Sequence, residues 1–555
     1  MLVGIGVSSS LWDRDEPRFA RAAVEMRESG DLMVPRFNEG VRPDKPAGVY
    51  WAMQVGLELF GEHEIAVRLP SIVGLLWTGW LVYMAGRCLS GRSRAGVIAM
   101  VVLLTSLMPI VMGTLSTADG LLLGCMTQAY AVLLHRVCRG SVWWQIPVLV
   151  FALTLGQLVK GPIGLVIPMA NMLLAGWMVG RHQRDDWHLG FGWWISVWVA
   201  ALLSVVLFLA WGIPANQLSG GVLWSEGIGT HVVDRIQTAQ EGHGGSNVLE
   251  YIALLPVYVP VVLIGFMPWT SLLPSAVNAL RRREFLSGRE RSLIWAWITP
   301  AFVIMTLVAT KLPHYVLPMF PGLAVLVGVF VDRMTLQPVR ADTRFGRLGR
   351  LFYLVMAGMG GVGLVVGPQV LGDDELAWRC ALPALLVLIG TPWVLSHVAN
   401  RRLLELVWFL GPLTPVVVLA LVLSVLPWVE SRLKVSPVIA EAIRYRLPDD
   451  ARVYTLGYRE PSLIFYLSRS LGTPVQRMGR TREALDAWVQ QERSTPEALV
   501  ITNSEAERLG ITHEDLGATL LERYPVWNYA SGTEGRTLVV ETWLVGATRD
   551  QPTTE

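Results

Sequence analysis

The chain has 555 residues, 52% of them hydrophobic and 16% charged, with 23 tryptophans and a mean hydropathy of +0.45, a balance that excludes an ordinary soluble globular protein. A formal net charge of +2 supports no nucleic-acid partner, so where the charges fall matters more than their sum. The four cysteines, Cys88, Cys125, Cys138 and Cys380, lie in or beside apolar runs without metal-like pairing and indicate neither a zinc site nor a disulfide framework.

Residues 1–64 precede the first recognisable membrane span and carry two charged, proline-marked stretches. In WDRDEPRFA, residues 12–20, Pro17 suits the first turn of a helix, Phe19, Ala22, Ala23 and Met26 continue it as an apolar stripe, and Gly30 stops it. This is the pattern of an amphipathic helix at a membrane interface. Asp15 and Glu16 then either favour the positive helix N-terminus or present a catalytic carboxylate at the membrane surface. The second stretch, RPDKPAGVYW at 42–51, contains Asp44-Lys45-Pro46, which by itself reads first as a solvated turn.

A helix that crosses the hydrocarbon core needs about 20 mostly apolar residues, because lipid offers no partner to backbone polar groups. About twelve segments meet that requirement, near 65–86, 94–114, 118–137, 143–159, 162–180, 190–212, 248–273, 291–310, 313–332, 351–371, 381–399 and 403–428. Every second connection between them is rich in arginine, as in Arg87/Arg92/Arg94, Arg281-Arg282-Arg283 and Arg401-Arg402. The intervening connections hold Asp119, Lys160, the stretch 213–247, Lys311 with His314, and Asp373-Asp374-Glu375. Under the positive-inside rule the arginine-rich loops are cytoplasmic, which places 1–64 and the tail after about 429 outside. Only MLVGIGV is apolar ahead of WDRDEPRFA, so the expectation is that a spanning helix lies upstream of Met1, with a re-entrant N-terminal tail as the alternative.

From 436 the pattern changes. SPVIAEAIRYRL and TREALDAWVQQE read as amphipathic helices, and RVYTLGY, ALVITN and RTLVVETWLV as strands, which together predict a small soluble α/β domain over 436–555. The expected organisation is a first extracytoplasmic loop at 1–64, an all-α polytopic membrane domain at 65–428 and this appended module.

Charged groups near a bilayer are costly and tend to carry function where several converge. The spans are almost free of charge in their middles, and the charges left on the outside are few. Asp119, in STAD, reads as a helix cap or as a second site carboxylate. Lys160-Gly161-Pro162 and Lys311-Leu312-Pro313-His314-Tyr315 read as snorkelling lysines at helix breaks or as site cations. Two carboxylates and several cations on one side suit sugar transfer from a lipid-linked phosphate: a carboxylate orients or deprotonates the acceptor, and cations stabilise the departing phosphate.

At these residues the chain resembles the C-type glycosyltransferases of the aminoarabinose transferase and protein O-mannosyltransferase superfamily. The resemblance rests on residues 15–51, DEPRFARAAVEMRESGDLMVPRFNEGVRPDKPAGVYW, and then on TAD, VKGP and TKLPHYVLPMFPGLA. It implies a bacterial inner-membrane enzyme of about thirteen spans, one of them ahead of the acidic motif. Its partners would be a polyprenyl-phosphate sugar donor, the bilayer, and a lipid, glycan or protein acceptor. Asp15 would be the principal catalytic carboxylate and Asp119 the second acidic residue. Arg18, Lys45 and Arg235 would bind the donor phosphate, and Asp44, Lys160, Lys311, His314 and Tyr315 would line the cavity. Family members can hold a divalent metal, for which Asp44, His231 and His243 are the candidate ligands here. No other cofactor is implied. Rival readings are a lipid flippase or transporter, which internal repeats or mid-span charges would favour, and a catalytically silent homologue.

Overall fold

The computed structural model describes residues 1–12, 15–38, 40–180, 189–227, 229, 248–281, 286–336, 343–448, 451–458, 460–471, 475–491, 495–527 and 537–545. The chain opens with α1 (Leu2–Ser8), α2 (Asp15–Ser29), a two-residue hairpin of β1 (Arg36–Phe37) and β2 (Gly40–Val41), and α3 (Gly48–Phe60). The bundle follows, beginning with α4 (Glu64–Ser90), α5 (Ser93–Leu104), α6 (Leu107–Thr114), α7 (Asp119–Arg139), α8 (Gln145–Lys160), α9 (Ile163–Gly180) and α10 (Phe191–Leu218). All twelve predicted spans fall on helices. Among the described residues nine helices are long and apolar enough to cross a membrane, or ten if α5 and α6 count as one span.

Besides α8, which at 16 residues is shorter than a full crossing, two segments differ from the simple picture. The predicted span 94–114 is broken: α5 and α6 meet at 64°, and the Leu107 amide at the break donates to the Met267 carbonyl instead of continuing the helix. Helix Gly288–Leu307 starts with a capping box between Ser287 and Glu290 and carries Arg289, Glu290 and Arg291 in its first turns, which lowers its apolarity below that of its neighbours.

Glycines bring the site-bearing helices together. A side chain at Gly74 of α4 would meet the Gly120 carbonyl of α7 at 2.3 Å, and one at Gly120 would meet the Ser71 backbone at 2.7 Å. The α4–α7 contact is therefore backbone to backbone beside Asp119. The Ser71 hydroxyl adds a hydrogen bond to the Thr117 carbonyl at 3.0 Å. At the arginine-rich end the same two helices are joined by a Cys88–Cys138 disulfide, with Cα atoms 6.2 Å apart. This corrects the sequence expectation: parallel packing of α4 and α7 brings together the C-terminal ends of two helices, fifty residues apart in the chain, which no local cysteine spacing reveals.

After the bundle, β3 (Val453–Leu456), β4 (Gln476–Arg477), β5 (Glu497–Thr502), β6 (Thr519–Trp527) and β7 (Thr537–Val545) form one mixed sheet in the order β4-β3-β5-β7-β6. β3 runs parallel to β4 and β5, while β7 is antiparallel to β5 and β6. Leu456, Leu485, Trp488 and Trp543 fill a core of their own. The opposite side joins the main core through Ile439, Leu463 and Phe465, so this α/β unit is packed onto the same end of the bundle as α2.

Candidate active site

The site begins with two adjacent acids that are treated differently. Asp15, the first residue of α2, is exposed, whereas Glu16 is buried and held by Arg68 of α4 through two hydrogen bonds of 2.9 and 2.8 Å. Glu16 also accepts from the Trp12 amide at 2.8 Å and from the Ser116 amide at 2.5 Å, so one carboxylate ties α2, α4 and the turn before Asp119 together. Burial pushes the Glu16 carboxyl towards its neutral form, but the Arg68 charge and these hydrogen bonds outweigh it, and the group sits below its ordinary value.

The DKP turn is anchored in the same way. Arg42 is buried, its Nε donates to the Tyr50 hydroxyl at 2.9 Å, its guanidinium pairs with Asp44 at 3.1 Å, and it stacks 5.2 Å from the Phe19 ring of α2. Close approach continues at Gly48, where an added Cβ would lie 2.7 Å from the Leu158 carbonyl of α8. Arg42 thus holds the turn that presents Asp44 and Lys45, and the Lys45 ammonium donates to the Asp44 carbonyl at 3.0 Å. Sequence reasoning passed over Arg42 and Arg68. The hint for Arg42 was its place inside RPDKP, whereas Arg68 had none.

Asp119 starts α7 and is clamped from two sides. Lys160 Nζ is 2.5 Å from one carboxylate oxygen, and His314 Nε2 is 3.9 Å from the other. Lys160 ends α8 because Gly161, at φ +71°, turns the chain where a side chain would be strained, and Pro162 leads into α9. Its ammonium also faces the Tyr315 ring at 5.6 Å. Lys45 acts electrostatically on Asp119, and Asp15 acts on both Arg42 and His314, so the acids and cations from five separated stretches share one field.

These groups border a cavity of about 330 Å³. Asp44, Lys45, Asp119, Lys160, His314 and Tyr315 supply its polar rim, and Val166, Phe208, Trp211, Ile304 and Met305 its apolar wall. The arrangement can hold an anionic head beside an apolar body. Asp15 and the half-buried Arg18 lie on α2 outside the lining itself. Lys311 is not part of the lining, contrary to expectation. Its ammonium donates to the carbonyls of Met305, Thr306 and Val308 at the end of helix Gly288–Leu307 and lies 5.3 Å from the Tyr251 ring. A lysine just past a helix end satisfies the open carbonyls there, and that use turns Lys311 away from the cavity.

Arg235, His231 and His243 lie outside the described residues. Among the described residues no three His, Cys, Asp or Glu side chains gather as a metal site, and the Asp44 carboxylate is paired with Arg42.

A bundle of apolar helices carrying an ion-paired, half-apolar cavity beneath amphipathic loop helices defines a multi-pass membrane protein. Residues 44–211 match the family described as dolichyl-phosphate-mannose-protein mannosyltransferase. Similar proteins include an undecaprenyl phosphate-alpha-4-amino-4-deoxy-L-arabinose arabinosyl transferase of Edwardsiella ictaluri (strain 93-146), 29% identical over 371 residues that cover 64% of this chain and 62% of the relative. Another, from Sodalis glossinidius (strain morsitans), is 27% identical over 75% of this chain and 72% of its own length. The chain thus spans less than two thirds of the Edwardsiella relative. In fold it is similar to the crystal structure of ArnT from Cupriavidus metallidurans bound to undecaprenyl phosphate, with a TM-score of 0.73 at 21% identity over 97% of this chain and 95% of that one. The apo form gives a TM-score of 0.71. In sequence the chain is thus similar to aminoarabinose transferases and, over residues 44–211, to the protein mannosyltransferase family.

Proposed function

We propose that this protein is an inverting glycosyltransferase that moves a sugar from a polyprenyl phosphate to an acceptor on the outer face of the bacterial inner membrane. The observation that carries this reading is the cavity itself, whose lining combines Lys45 and Lys160 with an apolar wall formed by Val166, Phe208, Trp211 and Ile304. A polyprenyl phosphate has the same division, an anionic head on an apolar chain. The relatives named as undecaprenyl-phosphate aminoarabinose transferases, and the fold neighbour bound to undecaprenyl phosphate, support the same donor class. The arginine-rich loops support the orientation, with the cavity and the α/β unit outside.

In the reaction an acceptor hydroxyl oxygen attacks the anomeric carbon, the carbon–oxygen bond to phosphate breaks, and polyprenyl phosphate leaves with the bonding electrons. Lys45 binds the donor phosphate, and Lys160 neutralises the charge that grows on it. Asp15, exposed on α2, orients the acceptor hydroxyl and takes its proton. Asp119 is engaged by Lys160 and His314, so its role is to hold these groups at the phosphate rather than to remove a proton. Arg18 and Arg235 are further candidates for the phosphate, and Tyr315 closes the rim against Lys160. The acceptor is a glycolipid of the lipid A type, a protein hydroxyl or another envelope glycan.

The test is transfer of labelled sugar from a polyprenyl phosphate to isolated envelope fractions by the purified protein in liposomes. Transfer that Asp15→Asn abolishes, with the variant still folded, supports the reading. Undiminished transfer by Asp15→Asn removes Asp15 from the chemistry. No transfer with any polyprenyl-phosphate sugar removes the function.

A further inference from the structure

The residues leading into α2 are held by side chains from the far end of the chain. The Leu11 amide, fully buried, donates to the Tyr466 hydroxyl at 2.8 Å, and that hydroxyl donates to Glu64 at 3.1 Å. On the preceding residue, the Ser10 amide donates to Glu430 at 3.1 Å, while the Ser10 carbonyl accepts from Lys434 Nζ at 2.7 Å. Lys434 is itself buried, pairs with Glu430 at 2.9 Å and lies 3.7 Å from the Trp12 ring. The Ser10–Leu11 backbone is thus fixed by Tyr466 of the α/β unit and by the helical segment that enters it.

The same backbone is coupled to the site. Arg68 donates to the carbonyls of Ser9 and Ser10 with the guanidinium that holds Glu16, and the Trp12 amide donates to Glu16. Asp15 is the neighbour of Glu16 at the start of α2. A shift at Ser10–Leu11 would leave a buried amide without a partner unless Glu16 and the first turn of α2 moved with it. A small displacement of a reacting group costs rate much more than binding when the donor is held by other residues.

We propose that the C-terminal α/β unit is a positioning element for the reaction, in which Tyr466 and Lys434 set the Ser10–Leu11 backbone and thereby the direction in which Asp15 meets the acceptor. The proposal rests on the reading of Asp15 given above and assigns the appended unit a part in turnover.

The experiment compares Tyr466→Phe, Lys434→Met, Arg469→Ala and Asp15→Asn in the full-length protein, by steady-state sugar transfer and by gel filtration for the folded state. Arg469 is a docking control: it joins the same unit to Glu64 at 3.3 Å and to the Glu62 carbonyl and lies 5.1 Å over the Tyr466 ring, but it makes no hydrogen bond or ion pair to the described residues among 9–16. The expected result is a fall in kcat of about tenfold for Tyr466→Phe and Lys434→Met, with donor KM within about twofold of the parent and Arg469→Ala unchanged. An equal fall in Arg469→Ala would mean general docking of the unit and would overturn the proposal, as would full kcat in both Tyr466→Phe and Lys434→Met while Asp15→Asn is inactive. Full activity of Asp15→Asn would instead overturn the underlying reading of Asp15. If Tyr466→Phe cannot be recovered folded, Lys434→Met decides on the same criteria.

Discussion

Glu16 and Arg68 form a two-point ion pair between a loop helix and the first long span, both side chains at most 2% exposed, fifty-two positions apart in the chain. It separates two neighbouring acids into two roles: Glu16 builds the frame, and Asp15 is left at the surface.

Glu16→Gln should therefore destabilise the folded protein by about 3–5 kcal/mol, since it leaves the Arg68 charge buried without its counterpart. The pair also predicts a pH dependence. Because the Glu16 carboxyl lies below its ordinary value in the folded state, its contribution is complete above the unfolded value of about 4.3 and is lost as pH falls through the lower folded value. Thermal unfolding of the parent and of Glu16→Gln across pH 3–7 checks both points, and an unchanged midpoint in the variant would refute the role given to the pair.

Lys160 and Asp119 should behave as one unit. Either Asp119→Asn or Lys160→Met is expected to lower kcat/KM by about two orders of magnitude, and the double variant should lose little more than the worse single. Initial rates over the full double-mutant cycle measure this directly. Strictly additive losses would mean that the 2.5 Å contact is not the functional one.

Lys45→Ala removes an ammonium from the cavity rim and should weaken the donor more than the chemical step. The expected change is a rise in donor KM of about tenfold or more, as for a charge-assisted hydrogen bond of about 1.5–3 kcal/mol, with kcat much less affected. Titration with polyprenyl phosphate alone gives the same comparison without turnover. Equal affinities would remove Lys45 from the phosphate site.

Gly161→Ala tests why the lysine at the end of α8 points where it does. No atom lies within 4 Å of the added methyl group, so the cost is in the backbone, at φ +71° and ψ −153°. That region is close to glycine-only and should cost about 1–3 kcal/mol in stability. It should also displace Lys160 and lower transfer. A variant with the parent's unfolding midpoint would show that the turn relaxes freely.

Much of this architecture could be read from the residues in order. Lipid forces each crossing segment into a long apolar helix, so the spans are visible as local runs, and the acidic and DKP motifs lie in short continuous stretches that carry their own pattern. Local patterns failed where the deciding partner was distant. Asp15 and Glu16 are chemically alike in the sequence, and only Arg68 and Ser116 single out Glu16 for burial. Lys160 and Lys311 both precede a proline by two positions, yet one meets Asp119 and the other caps a helix end.

By itself the sequence determined a membrane bundle of apolar helices, a small α/β unit after it, and the set of acids and cations available at one end, because hydrophobic run length and side-chain chemistry are local properties. Only the tertiary structure decided which of those groups face the cavity, that α5 and α6 form a broken span, that Cys88 reaches Cys138, and that Tyr466 holds Leu11. Each of these depends on contacts between segments brought together by helix packing, where close glycine approaches and the satisfaction of buried polar groups select one arrangement.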